Sequence, residues 1–172
     1  MTRKSLQGSI LFIIVLAVGG CSDLPTVDQY FTFNVVRTVD FSIPNSIMPD
    51  KDTGISATGK IDTTKDYQLN GTAAYLLRSA KITRIQLVPS DPTLSLSNLS
   101  YARLVIGMDT VGDSMYVNDK GEYLLNTAGR DVTQHVRDTS YSATLYFSLR
   151  NPISSPATIT TYLTFVNTAL PQ

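Results

Sequence analysis

The stretch from Phe31 to Ile43 largely alternates between apolar and polar side chains, and this feature constrains the fold most. Successive side chains of a β-strand point to opposite faces, so the pattern predicts a long strand with one buried face. Pro44 follows and ends the strand, because proline cannot donate to a sheet ladder. The apolar side chains of this stretch are Phe31, Phe33, Val35, Val39, Phe41 and Ile43.

The rest of the chain repeats this pattern more weakly and contains few helical signals. Residues 72–79 are the best helix candidate, and Asp131 is suited to cap a short helical turn over 132–136. The composition predicts an all-β fold: an antiparallel, immunoglobulin-like β-sandwich of seven or eight strands with one or two short helical turns. Further strands are predicted at 55–61, 81–88, 101–108, 141–149 and 157–166, with a hairpin turn at Asn118–Gly121.

The first 20 residues differ in character from the remainder. Arg3 and Lys4 precede an apolar run over Ile10–Val18, and two glycines then lead to Cys21, the only cysteine. A basic start, a short apolar run and a small-residue exit predict a secretory signal peptide. The run is about half the roughly 20 residues needed to span a bilayer. We therefore expect a signal peptide over 1–20, a tether over 21–29 and one domain over 30–170.

The segment Val18-Gly19-Gly20-Cys21 resembles the lipobox of bacterial lipoproteins. The resemblance implies cleavage between Gly20 and Cys21, attachment of a diacylglycerol to the Cys21 thiol, and acylation of the new amino terminus by a fatty acid such as palmitate. Two acyl chains suffice for stable anchoring. Ser22 after the cysteine favours the outer membrane over the inner membrane. The expected location is the cell envelope, with the membrane as a partner through the N-terminal lipid.

The order of elements after the lipobox also resembles small β-sandwich lipoproteins of Bacteroidota-type bacteria. The likeness consists of a short helical stretch, "ITRIQL", a loop containing "LSLSNL", "DVTQHV", and two closing strands. Those proteins have no assigned activity, so the resemblance implies an architecture and a cellular location but no reaction.

Charge and residue counts exclude several classes of function. The first 20 residues hold two of the 14 basic residues and none of the 14 acidic ones, so the remainder has a formal charge near −2. Nucleic-acid binding calls for a clustered basic face, which is absent from the sequence. One histidine and one cysteine cannot supply a zinc site, and we expect no cofactor.

His135 is the only candidate for nucleophilic catalysis. A hydrolase triad would pair it with Asp131 or Asp138 and a serine, but the sequence contains no G-x-S-x-G motif. We therefore assign no catalytic residue.

Two further groups of residues suggest binding. Asp109, Asp113 and Asp119 supply the hard oxygen atoms that calcium prefers. Their spacing does not match an EF-hand, however, so we favour a solvated hairpin and expect no metal. Thr144 and Tyr146 in the penultimate strand, with Thr160 and Tyr162 in the last, would form one hydroxyl-rich face if those strands pair. Such a face suits a glycan or an envelope protein, although cross-strand packing alone explains it and the chain has no tryptophan.

Together these features predict a membrane-anchored envelope lipoprotein with a non-catalytic binding or structural β-sandwich domain. The alternative is a lipid-anchored envelope hydrolase acting on glycans or esters. The two differ in whether His135, or a close pair of aspartates, lies in a cleft with a serine in reach.

Overall fold

The computed structural model describes residues 29–91 and 94–172. The predicted signal peptide, Cys21 and all but the last residue of the predicted tether lie outside the described residues. No helix in the two described ranges is long and apolar enough to cross a bilayer. The strands are β1 Phe31–Ile43, β2 Thr53–Lys60, β3 Leu77–Pro89, β4 Leu99–Ile106, β5 Asp109–Val117, β6 Tyr123–Thr127, β7 Ser140–Leu149 and β8 Ala157–Ala169.

All eight strands pair antiparallel in one sheet, in the order β1-β8-β3-β6-β5-β4-β7-β2. Its two end strands, β1 and β2, lie against each other, so the sheet is nearly closed. The predicted all-β antiparallel class and strand number are therefore confirmed.

The helical segments are short. Helix α1 spans Thr63–Asp66 and helix α2 spans Thr133–Val136, and three single 3-10 turns cover Gln68–Asn70, Ala74–Leu76 and Leu96–Asn98. Asp131 accepts a hydrogen bond from the Thr133 N–H at 2.9 Å at the start of α2.

The predicted helix over 72–79 is wrong. Only Ala74–Leu76 forms a 3-10 turn, and β3 begins at Leu77, which lies opposite Ala169 of β8. Pairing along β8 supplies the backbone hydrogen bonds of this segment and overrides its helical propensity.

The last two strands do not pair, so the condition for a single hydroxyl-rich face is not met. β7 pairs with β2 and β4, whereas β8 pairs with β1 and β3. The connection between them contains Pro152 and Pro156 and lacks the short turn of a hairpin. Both strands bury alternate side chains, a pattern that fixes the inward face of a strand without specifying its neighbours.

The core is built from the inward faces of these strands. The odd positions of β1 from Val35 onward are buried, as the alternation predicts. In β4, Ala102, Leu104 and Ile106 are buried as expected. Met108, predicted to share that face, is 94% exposed because β4 ends at Ile106 and the chain turns into β5.

One arginine lies among the buried side chains. Arg37 is at an inward position of β1 and is 4% exposed. Its Nε donates to Asp66 Oδ2 at 2.9 Å, and its Nη2 donates to the Tyr67 hydroxyl at 3.0 Å. The Tyr67 hydroxyl in turn donates to the Val136 carbonyl at 2.5 Å, and the guanidinium lies 4.7 Å from the Phe165 ring centroid. This network, which we call the Arg37 network, connects β1, α1, α2 and β8.

Candidate binding site

An open cavity of about 610 Å³ lies on β4, β5 and β7, beside the loop between β1 and β2. We call it the Arg103 pocket. Tyr101 and Arg103 belong to it, together with three aspartates and three serines: Asp50, Asp52, Asp113, Ser100, Ser114 and Ser148. Its volume falls within the range of about 300–1,000 Å³ that is usual for ligand sites.

The alternation of β4 positions the two largest side chains of the pocket. Because Ala102 and Leu104 face the core, Tyr101 and Arg103 face outward. In the neighbouring strand β7, Ser148 lies opposite Tyr101 and Tyr146 lies opposite Arg103. A register shift between Leu99 and Tyr101 marks an irregularity in β4 at the pocket.

Arg103 is held by an aromatic ring and by no counter-charge. Its guanidinium carbon lies 4.7 Å from the Tyr146 ring centroid. Gly54 of β2 lies opposite Tyr146, and a Cβ atom there would come within 2.8 Å of the ring, so glycine permits this ring position. Within the described residues, Arg103 makes no hydrogen bond or ion pair, and its Nε is buried without a partner.

Tyr101 and Asp52 form the second fixed contact of the pocket. The Tyr101 hydroxyl donates a hydrogen bond to Asp52 Oδ1. Burial, this hydrogen bond and the negative charge of Asp52 raise the pKa of Tyr101 to about 12. Tyr101 therefore stays neutral at physiological pH and ties the β1–β2 loop to β4.

The backbone is unusual at two positions of the pocket. Asp50 has φ 57° and Ser114 has φ 52°, and within the described residues these are the only non-glycine residues with positive φ. The Asp50 N–H donates to the Leu149 carbonyl at 2.8 Å, and Ser114 lies at a register shift in β5. A left-handed conformation of a non-glycine residue costs about 1–2 kcal/mol, so surrounding contacts hold both residues in place.

His135 belongs to α2 and lies outside the Arg103 pocket, where it contacts the first residue of β5. Its Nε2 is hydrogen-bonded to Asp109 Oδ2 at 3.0 Å, and its ring packs on Gly107, which has φ 61°. Arg130 also pairs with Asp109, at 3.4 Å. Among the described residues no serine hydrogen-bonds to His135, and its carboxylate partner is neither Asp131 nor Asp138.

The three aspartates considered for calcium each make different contacts. Asp109 is engaged by His135 and Arg130, Asp113 lines the Arg103 pocket, and Asp119 lies in the β5–β6 turn. That turn is organised by Asn118, whose side-chain oxygen accepts the N–H groups of Lys120 and Glu122, each at 3.0 Å. In the described part of the chain, no three His, Cys, Asp or Glu side chains are grouped so as to hold a metal ion.

The predicted hydroxyl-rich face is divided between two parts of the sheet. Tyr146 and Thr144 lie on β7, where Thr144 shares a 2.9 Å hydrogen bond with Ser56 of β2. Tyr162 and Thr160 lie on β8, where Thr160 donates to Asp40 at 2.6 Å. Only Tyr146 contacts the candidate site, through Arg103.

Sequence reasoning did not identify Tyr101, Arg103, Asp50 or Asp52. The alternation of β4 contains a partial signal, because it places Tyr101 and Arg103 on the outward face. Their approach to Tyr146 and Asp52 depends on strand pairing between segments more than 40 residues apart, which periodicity does not specify.

No protein family model matches this chain, and no curated protein or solved structure is significantly similar to it.

Proposed function

We propose that this chain is a lipid-anchored protein of the bacterial cell envelope, sorted to the outer membrane, whose β domain binds a partner without catalysing a reaction. The lipobox ending at Cys21 supports the anchor. The observation that carries the binding function is Arg103, whose guanidinium lies on an aromatic ring in an open cavity and makes no hydrogen bond to the described residues.

The arrangement of β1 suits display of the pocket away from a membrane. Phe31 follows Cys21 by ten residues, and an extended chain of that length spans at most about 35 Å. The 13 residues of β1 extend roughly 40 Å further. Asp50 and Asp52 belong to the loop that follows the far end of β1, so the Arg103 pocket lies beyond the end of this strand opposite to the one that leads to Cys21.

The contacts of His135 support a structural rather than a catalytic role. A general base needs a proton donor such as a serine hydroxyl in reach, and His135 is instead occupied by Asp109. We expect neither the parent protein nor His135→Ala to hydrolyse ester or glycoside substrates. Hydrolysis that the parent shows and His135→Ala lacks would favour the envelope hydrolase instead.

For the architecture, we propose a two-layer β-sandwich. The pairing order divides into β1-β8-β3-β6 and β5-β4-β7-β2, so each half combines strands from both ends of the chain, as in a jelly roll with two Greek keys. The immunoglobulin-like sandwich expected from the sequence would place the first two strands side by side in one sheet. The placement of β1 beside β8 fits the jelly roll better.

Fatty-acid labelling tests the anchor directly. Cells expressing the full chain would be fed an alkyne analogue of palmitate and then fractionated, with Cys21→Ser as the variant and Thr26→Ala in the tether as the matched control. We expect label and membrane association in the parent and the control, and neither in Cys21→Ser. Equal membrane association of Cys21→Ser would refute the anchor. Protease treatment of intact and lysed cells then distinguishes a surface-exposed from a periplasmic domain.

A further inference from the structure

We propose that the Arg103 pocket binds a neutral oligosaccharide. This inference deepens the proposed binding function and rests on it. The pocket offers hydrogen-bonding groups of both kinds, and the fold leaves several of them unused.

Arg103 and Ser148 supply hydrogen-bond donors to the pocket. The Arg103 guanidinium carries five N–H groups, and it makes no hydrogen bond within the described residues although Asp52 and Asp113 line the same pocket. Ser148 is only 6% exposed, lines the pocket from β7, and its hydroxyl has no hydrogen-bond partner among the described residues. Leaving the buried Arg103 Nε unpaired costs about 1–3 kcal/mol, so a ligand that supplies an oxygen atom here gains affinity.

The acceptors and the net charge define the class of ligand. Three carboxylates, those of Asp50, Asp52 and Asp113, stand against the single positive charge of Arg103. The resulting formal charge of −2 opposes phosphate, sulfate and uronate groups. Carboxylates need O–H or N–H donors, whereas Arg103 needs acceptors and repels cations. A sugar provides hydroxyl groups that donate and accept without carrying charge.

The pocket is also organised before any ligand arrives. The Tyr146 ring contacts the guanidinium, and the Tyr101–Asp52 hydrogen bond fixes the loop that carries Asp50 and Asp52. Fixing these groups in advance lowers the entropy cost of binding. The Tyr101 ring adds an apolar surface of the kind that packs against the C–H face of a sugar.

The test uses the full-length lipidated chain in detergent and measures binding by isothermal titration calorimetry. The probes are the neutral hexasaccharides of maltose, cellulose, mannan and chitin type, with heparin and an oligogalacturonate as anionic comparators. We expect at least one neutral probe to bind, with an affinity that changes little between low and high salt because screening acts on charged ligands. Tighter binding of heparin or oligogalacturonate would overturn the charge argument.

Variants link the binding to the pocket. Arg103→Met keeps an unbranched side chain beside Tyr146 but removes every donor, and we expect it to weaken binding at least about tenfold, since a hydrogen bond to a charged group is worth that much. Ser148→Ala should weaken binding less. The matched control is Arg84→Met, because Arg84 pairs with Glu122 on another part of the sheet. Circular dichroism confirms that each variant is folded.

Two results would reject the glycan and leave the anchor standing. One is the absence of binding by every neutral probe at millimolar concentration while Cys21-dependent labelling persists. The other is binding that Arg103→Met and Ser148→Ala leave unchanged. If cross-linking from the pocket captures a protein and no neutral probe competes with it, the partner is a protein rather than a glycan. Loss of Cys21-dependent labelling with glycan binding intact would instead reject the anchor alone.

Discussion

Arg37 and Arg103 each lie 4.7 Å from an aromatic ring, yet they differ in burial and in hydrogen bonding. Arg37 faces the core, and Asp66 and Tyr67 take up two of its three nitrogen atoms. Arg103 faces outward into a cavity lined by carboxylates, and none of them pairs with it. Arg37 is paired with a buried carboxylate and holds elements together, although its Nη1 is buried without a partner among the described residues. Arg103 has no such pair, so its donors are available to a ligand.

The largest effect expected from this comparison is the loss of the carboxylate beside Arg37. Asp66→Ala leaves a buried guanidinium without its counter-charge, and breaking a buried pair in this way lowers the free energy of unfolding by about 3–5 kcal/mol. Urea unfolding followed by circular dichroism measures the change. Glu122→Ala, which breaks the exposed pair with Arg84, is the control and should have little effect. Similar losses in the two variants would contradict a structural role specific to the Arg37 network.

Two buried tyrosines near Arg37 sharpen the comparison. The Tyr67 hydroxyl accepts from Arg37 and donates to Val136, so Tyr67→Phe leaves two groups unpaired and should cost about 1–3 kcal/mol of unfolding free energy. The Tyr141 hydroxyl is buried without a partner in the described part of the chain, so Tyr141→Phe removes an unsatisfied group and should be neutral or stabilising. Thermal unfolding of both variants provides the test, and a larger loss for Tyr141→Phe would reverse the assignment.

The alternation of apolar residues predicts the strands and their inward faces because burial of one face is a local property of each segment. In β1 it correctly marks the odd positions as inward, and Arg37, the polar exception among them, could have been identified as a buried charge from that register alone. The neighbours of each strand depend on contacts far apart along the chain. For this reason the sequence leaves open whether β7 pairs with β8, and the condition for a single face joining Tyr146 to Tyr162 is not met.

The candidate site depends on the same long-range information. Tyr101, Asp52 and Arg103 become a site only when β4 pairs with β7 and the β1–β2 loop folds back beside them. The sequence pattern predicts that Tyr101 and Arg103 face outward, but it does not predict which residues lie beside them. The helix predicted at 72–79 fails for a related reason, since the partner that makes this segment a strand is β8, about 90 residues away.

Two glycines of β2 allow the same substitution to be made on both sides of the sheet. At Gly59 a Cβ atom would lie 2.2 Å from the buried Tyr141 ring, so Gly59→Ala overpacks the core and should cost about 1–3 kcal/mol of unfolding free energy. At Gly54 it would lie 2.8 Å from the Tyr146 ring, which is at the surface and can turn away. We expect Gly54→Ala to change stability less but to weaken binding to the Arg103 pocket, because the ring supports Arg103. Calorimetry and thermal unfolding of both variants separate these effects.

The smallest effect concerns alkaline pH. Burial raises the pKa of Tyr141 to about 12, and burial together with Asp52 raises that of Tyr101 to about 12, against the ordinary 10.0. Because the unfolded chain loses these protons first, their contribution to stability is complete below about pH 10 and is lost as the pH rises to about 12. The absorbance of tyrosinate, measured against pH, reports these pKa values. We expect Asp52→Asn to lower the pKa of Tyr101 and to leave that of Tyr141 unchanged. Asp113→Asn, in the same pocket without a hydrogen bond to Tyr101, is the control. If Asp52→Asn leaves the pKa of every tyrosine unchanged, the Tyr101–Asp52 contact does not organise the pocket in solution. The affinity expected from a preformed site would then depend on Arg103 and Tyr146 alone.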